Sequence, residues 1–165
     1  MFDSRVLGVD PGITVTGYGV ITGGKSPTVV SAGEIKPASR LTMAEKLEAI
    51  FRETEEVIEK TSPDAVAVEG IFHAKNVKSV IRLGHARGVI LLAAARANLV
   101  VYEYSPREVK AAATGYGAAE KAQVEKMIKR ILNLPDDVGS HACDALAVAL
   151  CHLHTFKVTS SKERA

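Results

Sequence analysis

No apolar run in this 165-residue chain approaches the roughly 20 residues that a helix needs to cross a bilayer. Its N-terminus also lacks the basic-then-apolar order of a secretory signal. These absences argue against helical membrane insertion and signal-directed export, so a cytoplasmic location is expected. Cysteine is scarce. Cys143 and Cys151 lie eight positions apart in what reads as one helix, so about 12 Å of axial rise separates them and forbids a mutual disulfide. Both are expected to be small core residues. Aromatic side chains make up only 5% of the chain, and no repeat or low-complexity segment interrupts it. With 47% hydrophobic residues, the length suits one well-buried domain, expected over residues 1–156, and a polar tail over 157–165, expected to be disordered.

What charge there is lies unevenly. The formal net charge of +2 says little, but residues 1–72 carry 7 basic and 11 acidic side chains, residues 73–130 carry 11 and 4, and residues 131–165 carry 3 and 4. The basic middle segment could face a polyanion, or its cations could be solvated helix faces; charge alone leaves both open.

Residues 5–10, 14–22 and 28–36 read as three strands with short connections, which favours an antiparallel meander. Thr42 and Glu45 form a capping box for an amphipathic helix to about Thr61, and Ser62-Pro63 ends it. Residues 64–69 form a continuous apolar strand of the kind buried in parallel sheets. A long helix is expected from Asn76 to about Asn98, then a strand over 99–104. Ser105-Pro106 with Glu108 starts another helix. A loop at 114–117 leads to a basic helix over about 119–132, and Ser140 can cap a last, alanine-rich helix to about Thr155. Three antiparallel strands followed by alternating helices and strands predict an α/β fold: a mixed sheet with helices on both faces and a ligand site beyond the carboxyl ends of its strands.

Two apolar strands end on carboxylates there, Asp10 and Glu69. Buried carboxylates are costly unless paired, hydrogen-bonded or bound to a cation. His141 and Asp144, three apart, share one face of the last helix's first turn. A set rich in oxygen suits Mg²⁺, and the single imidazole tilts it towards Mn²⁺. Two such ions roughly 3.5–4 Å apart would activate water and stabilise the leaving oxygen of a phosphodiester. Each residue taken alone has an ordinary reading: a turn at Pro11-Gly12, a solvated Glu69, a first-turn Asp144 favoured by the helix dipole, a polar His141.

Four segments, LGVDPGITVTGYGVI, AVEGIFHAKNVKSVIRLGHARGVILLAA, YSPREVKAAATGYGAAEKAQVEKMI and HACDALAVALCHLH, together make the chain over residues 5–154 similar to the RuvC-type Holliday-junction resolvases. That resemblance implies a ribonuclease-H-like fold and a metal-dependent crossover junction endodeoxyribonuclease acting in recombination and DNA repair. It implies paired, symmetric nicks made with Mg²⁺ or Mn²⁺, two ions per active site. Asp10, Glu69, His141 and Asp144 match the four metal-binding catalytic positions, with His141 standing where many members have aspartate. Lys110 and Lys121 match lysines associated with DNA binding or the cleavage site, so Lys121 is an expected catalytic residue as well. Phe72 matches an aromatic that stacks on unpaired bases near the crossover, and core packing is the other reading of it. Lys75, Lys78 and Arg82 are further expected DNA contacts on the basic segment. The resemblance also implies a homodimer and partnership with the branch-migration complex RuvA/RuvB. Gly84 and Gly88 share one face of the long helix, where each costs roughly 1 kcal/mol relative to alanine; with the homodimer the resemblance implies, that face is the expected two-fold interface, and packing on the chain's own sheet is the other reading.

Overall fold

The structure, a computed structural model, describes residues 4–24, 26–70 and 76–162, with side chains to residue 156. Its strands are β1 (Arg5–Asp10), β2 (Thr16–Thr22), β3 (Thr28–Ile35), β4 (Ala65–Glu69) and β5 (Val100–Tyr104). Its helices are α1 (Met43–Thr61), α2 (Val77–Arg96), α3 (Pro106–Thr114), α4 (Lys121–Ile131) and α5 (Ser140–Lys162). The strands form one sheet in the order β3-β2-β1-β4-β5, antiparallel from β3 to β1 and parallel from β1 to β5. This is the expected mixed sheet, with helices on both faces.

Strand side chains alternate between two cores. Leu7, Val9, Val20, Val66 and Val68 pack with Ile50 and Ile58 of α1 and with Ala86, Ile90, Ala93 and Ala94 of α2. Val6, Ile21, Ala67 and Tyr104 face the other way, among α3, α4 and α5. Because β1 and β4 are covered on both faces, they read as continuous apolar runs, and each fully buried Val, Leu or Ile contributes roughly 1.5–3 kcal/mol. From Ala142 to Leu153 only Asp144 of α5 is not buried. Both cysteines are free and belong to that core. A helix apolar on every side must lie inside the layers, and glycine lets it do so: a Cβ on Gly8 would collide with the Ala145 carbonyl, and one on Gly17 with the His141 carbonyl.

Several boundaries differ from the expected ones. β2 begins at Thr16 rather than residue 14, because the buried Thr16 hydroxyl donates to the Gly12 carbonyl and accepts from the Gly12 amide, closing a loop. Ser140, expected as a cap, is the first helical residue of α5, and Glu34 of β3 accepts from the His141 amide at 3.2 Å. α5 also continues past Thr155 to Lys162, inside the segment expected to be a disordered tail. Among the described residues no helix is long and apolar enough to cross a membrane.

Candidate active site

β1 and β4 are neighbouring parallel strands, so their C-terminal residues reach the same edge of the sheet together. Their pairing ends at Val9 and Val68, one residue short of Asp10 and Glu69. The two carboxylates therefore lie just beyond the ladder, where ligands bind in open α/β sheets. The first turn of α5 crosses this edge. His141 Nδ1 lies 2.8 Å from Asp10 Oδ2. Lys121, the first residue of α4, donates from Nζ to Asp144 Oδ2 at 2.6 Å. Ligand atoms of Asp10, His141 and Asp144 all lie within 4.8 Å of one another. Glu69 joins them through a cavity of about 290 Å³, which Asp10, Asp144, Lys110 and Lys121 also line. Pro106, Val109, Val124 and Val148 give that cavity an apolar wall.

Burial raises the Asp10 carboxyl above its ordinary range, and Asp144 adds repulsion against the lowering effect of the His141 hydrogen bond. Burial likewise raises Glu69, with repulsion from Asp10 and Asp144 next. The Asp144 hydrogen bond raises Lys121. Carboxylates gathered at one desolvated point are stabilised by a cation among them. The donor set, mostly oxygen with one imidazole nitrogen, fits a hard divalent metal.

The structure thus brings Asp10, Glu69, His141, Asp144, Lys110 and Lys121 to one place. Arg82 lines a separate groove with Gly12, Ile13 and Thr14, on the loop that follows Asp10. Lys78 is exposed in the first turn of α2 and takes no part in either cavity. Phe72 and Lys75 lie outside the described residues. Gly84 and Gly88 are exposed, and a Cβ on either would meet nothing within 4 Å among the described residues. Packing of that face on the chain's own sheet is therefore overturned.

Two residues at the site carry no role in the sequence reading. Glu34 holds the first turn of α5, and Lys36 beside it keeps its carboxyl below the usual range. It sits near a strand's carboxyl end, the same signal that marks Asp10 and Glu69. Arg87 donates to the Glu69 carbonyl at 3.0 Å. Nothing in a helix sequence distinguishes such an arginine from a solvated one.

Lys121 competes with any cation for Asp144. Lys121→Ala is therefore expected to slow cleavage while tightening metal binding. The single-turnover cleavage rate should fall roughly 10-fold or more as a cation beside the acids is lost, while the half-saturating Mg²⁺ concentration should also fall, because a positive charge leaves the site. A metal titration of cleavage at saturating enzyme measures both. Unchanged rate and midpoint would make Lys121 a solvated helix residue.

A 3-2-1-4-5 sheet whose carboxyl edge gathers half-buried acids and an imidazole defines a ribonuclease-H-like protein with a metal-type site. The family model for the crossover junction endodeoxyribonuclease RuvC matches residues 6–152, and the chain belongs to that family. The RuvC of Syntrophomonas wolfei is 46% identical, with 96% of this chain and 94% of that protein covered. The RuvC of Alkaliphilus oremlandii is 44% identical over 93% and 95%. The solved T. thermophilus RuvC in complex with a Holliday junction substrate superposes with a TM-score of 0.88, at 34% identity over 94% of this chain and 96% of that one.

Proposed function

We propose that this chain resolves four-way DNA junctions by paired, symmetric hydrolysis of phosphodiesters, in recombination and DNA repair. The observation that carries the reading is the convergence of Asp10, Glu69, His141 and Asp144 at one sheet edge, in a chain that covers nearly the full length of its RuvC relatives.

Asp10, Glu69, His141 and Asp144 would hold divalent metal, Mg²⁺ or Mn²⁺, with two ions per site. When bound, such ions neutralise charge on the scissile phosphate and lower the pKa of an attacking water. Asp10 Oδ2 accepts from the His141 Nδ1–H, which fixes the imidazole plane at the site. Lys110 and Lys121 present cations to the non-bridging oxygens from the same cavity, and Lys121 is the first residue of α4, where the helix dipole adds to its charge. The apolar wall formed by Pro106, Val109 and Val124 limits bulk water on that side. Phe72, Lys75, Lys78 and Arg82 complete the proposed DNA contacts. With so few aromatics, recognition rests mainly on phosphates and therefore on junction shape.

A four-way junction needs two cuts in strands of like polarity, which a two-fold dimer supplies. α2 has a surface for it. Val77, Ile81, Gly84, Gly88 and Leu92 fall on one side of the helix, opposite the buried Ala86, Ile90 and Ala93, and the three large ones are 74%, 52% and 53% exposed. An apolar stripe of this extent on a helix already packed on its other side is unusual for a monomer surface. Gly84→Leu is expected to leave the fold intact, because no described residue occupies that space, and to convert the dimer into a monomer that makes single, uncoupled nicks. Sedimentation velocity with nick mapping on a cruciform plasmid measures this; a dimer with normal paired cutting would move the interface elsewhere. The branch-migration complex RuvA/RuvB is the proposed partner in the cytoplasm.

Incubating the chain with an end-labelled four-way junction or a matched duplex, in Mg²⁺, Mn²⁺ or chelator, tests the function. Symmetric nicks in the junction, dependent on metal and absent from the duplex, are expected. Junction binding without cleavage in either metal would reduce the chain to a binding module.

A further inference from the structure

We infer that Arg87 is a positioning residue for Glu69: its guanidinium ties the last carbonyl of β4 to helix α2, so the face through which α2 meets a second copy is mechanically joined to the metal site. The inference rests on the dimeric nuclease reading above.

The β1–β4 ladder stops at Val9 and Val68, so β1 does not hold Glu69 in place. On the other side Glu69 is registered with Tyr104, and the Gly70 amide donates to the Tyr104 carbonyl at 2.9 Å. Arg87 secures the end of the strand from a third direction. Its Nη1 donates to the Glu69 carbonyl at 3.0 Å and its Nη2 to Glu103 Oε2 at 2.6 Å. The arginine side chain is 13% exposed while Glu103 is 52% exposed. An ion pair to a half-exposed carboxylate adds little on its own. Its geometric effect is larger, because a planar guanidinium held by Glu103 fixes the angle at which the second N–H reaches the carbonyl. Where that carbonyl sits sets where the Glu69 side chain leaves the backbone, one residue past the last rung shared with β1.

The position of Arg87 on its helix supplies the second half of the inference. Gly84 lies three residues before it and Leu91 four after, the two spacings that place side chains on neighbouring turns of one face. A helix from a second copy seated over Gly84 and Gly88 would therefore press within one turn of the guanidinium on either side. That helix would buttress the part of α2 that bears Arg87, so its loss would loosen how the guanidinium is held. A bland alternative exists, in which Arg87 merely fastens α2 to β5.

Isothermal titration of Mn²⁺ into the metal-free, full-length chain separates the two, read beside melting temperature and junction affinity in chelator. Arg87→Lys keeps the charge but cannot span both acceptors. It should weaken Mn²⁺ binding roughly 10-fold or more, as loss of an outer-shell partner does, and raise the Mg²⁺ midpoint for cleavage, with junction affinity unchanged. Glu103→Gln, which loosens the brace without touching the carbonyl, should move both in the same direction by less, and it keeps the test open should Arg87→Lys fold poorly. Ile90→Val, a truncation in the buried face of the same helix, should lower the melting temperature and leave Mn²⁺ affinity alone. Gly84→Leu should weaken Mn²⁺ binding as well, and the double variant Gly84→Leu, Arg87→Lys should be no weaker than Arg87→Lys. Wild-type Mn²⁺ affinity in both Arg87→Lys and Glu103→Gln, alongside a loss in Glu69→Gln, would overturn the positioning role and leave the nuclease reading standing. Unchanged Mn²⁺ affinity in Glu69→Gln itself would remove Glu69 from the ligand set, and the inference with it. Additive losses in the double variant would sever the link to the dimer face.

Discussion

Glu69→Gln is expected to reduce junction nicking by more than about 100-fold, beyond the 10- to 100-fold that loss of an outer-shell partner costs, and at the same time to raise the melting temperature of the metal-free protein at pH 7. The two effects share one cause. Burial first, then repulsion from Asp10 and Asp144, raises the folded-state pKa of Glu69 above its ordinary 4.5. A carboxyl raised on folding contributes stability that is fully present below its unfolded pKa and is lost as pH climbs through its folded one. At pH 7 the ionised Glu69 is therefore a cost to the metal-free fold, and Gln removes the charge while keeping the shape. The thermal advantage of the variant in chelator should shrink as pH falls towards 4, where the wild-type carboxyl is protonated. Added Mg²⁺ should reverse the order by binding the folded wild type more tightly. Differential scanning fluorimetry at several pH values, with and without metal, tests the thermal half; single-turnover cleavage tests the other. A variant that nicks at the wild-type rate, or melts lower than wild type in chelator at pH 7, would falsify the placement of Glu69 among converging negative charges.

The acids of the site were legible because each violates an apolar pattern. Asp10 and Glu69 end strands that are otherwise buried on both faces, and Asp144 interrupts a helix buried nearly all round. Capping boxes at Thr42 and Ser105 were legible for a similar reason: their chemistry is local, and both form as expected. What escaped depends on contacts distant in sequence. The start of β2 is set by a loop that the Thr16 hydroxyl closes onto Gly12. Glu34 reaches its partner, the His141 amide, across 107 residues. The open face of α2 shows that an amphipathic pattern has two solutions when glycine lines it, since small residues suit both a tight internal contact and an interface. The end of α5 was missed on composition. Residues 156–162 are mostly polar but contain neither glycine nor proline, and a helix already nucleated propagates through such a stretch.

Gly17→Ala, a single methyl group added outside the acidic cluster, should lower nicking roughly 100-fold, the penalty a misplacement of about 1 Å can impose on a catalytic arrangement. Across the sheet Gly17 is registered with Asp10 on one side and Glu34 on the other. These three positions share the face that meets α5, and all three act on His141. Asp10 bonds its ring, Glu34 accepts from its amide, and Gly17 leaves room for its carbonyl, where a Cβ would collide. The obstacle is backbone in a helix packed on both sides, so it cannot rotate aside as a side chain would. Relief requires the first turn of α5 to lift away from the sheet, carrying His141 away from Asp10 and Asp144 away from the cavity. Overpacking of this kind costs about 1–3 kcal/mol, a loss the remaining core can absorb, so the protein should stay folded with a lower melting temperature. Ile50→Val, a truncation in the core on the opposite face costing about 0.5–1.5 kcal/mol, provides the comparison: it should destabilise while leaving the single-turnover rate and its Mg²⁺ midpoint near wild type. Gly17→Ala should instead lower the rate and shift the midpoint upward, because two proposed ligands move together. A folded Gly17→Ala protein with the wild-type rate and midpoint would mean that the close approach of β2 to α5 does not set the ligand geometry.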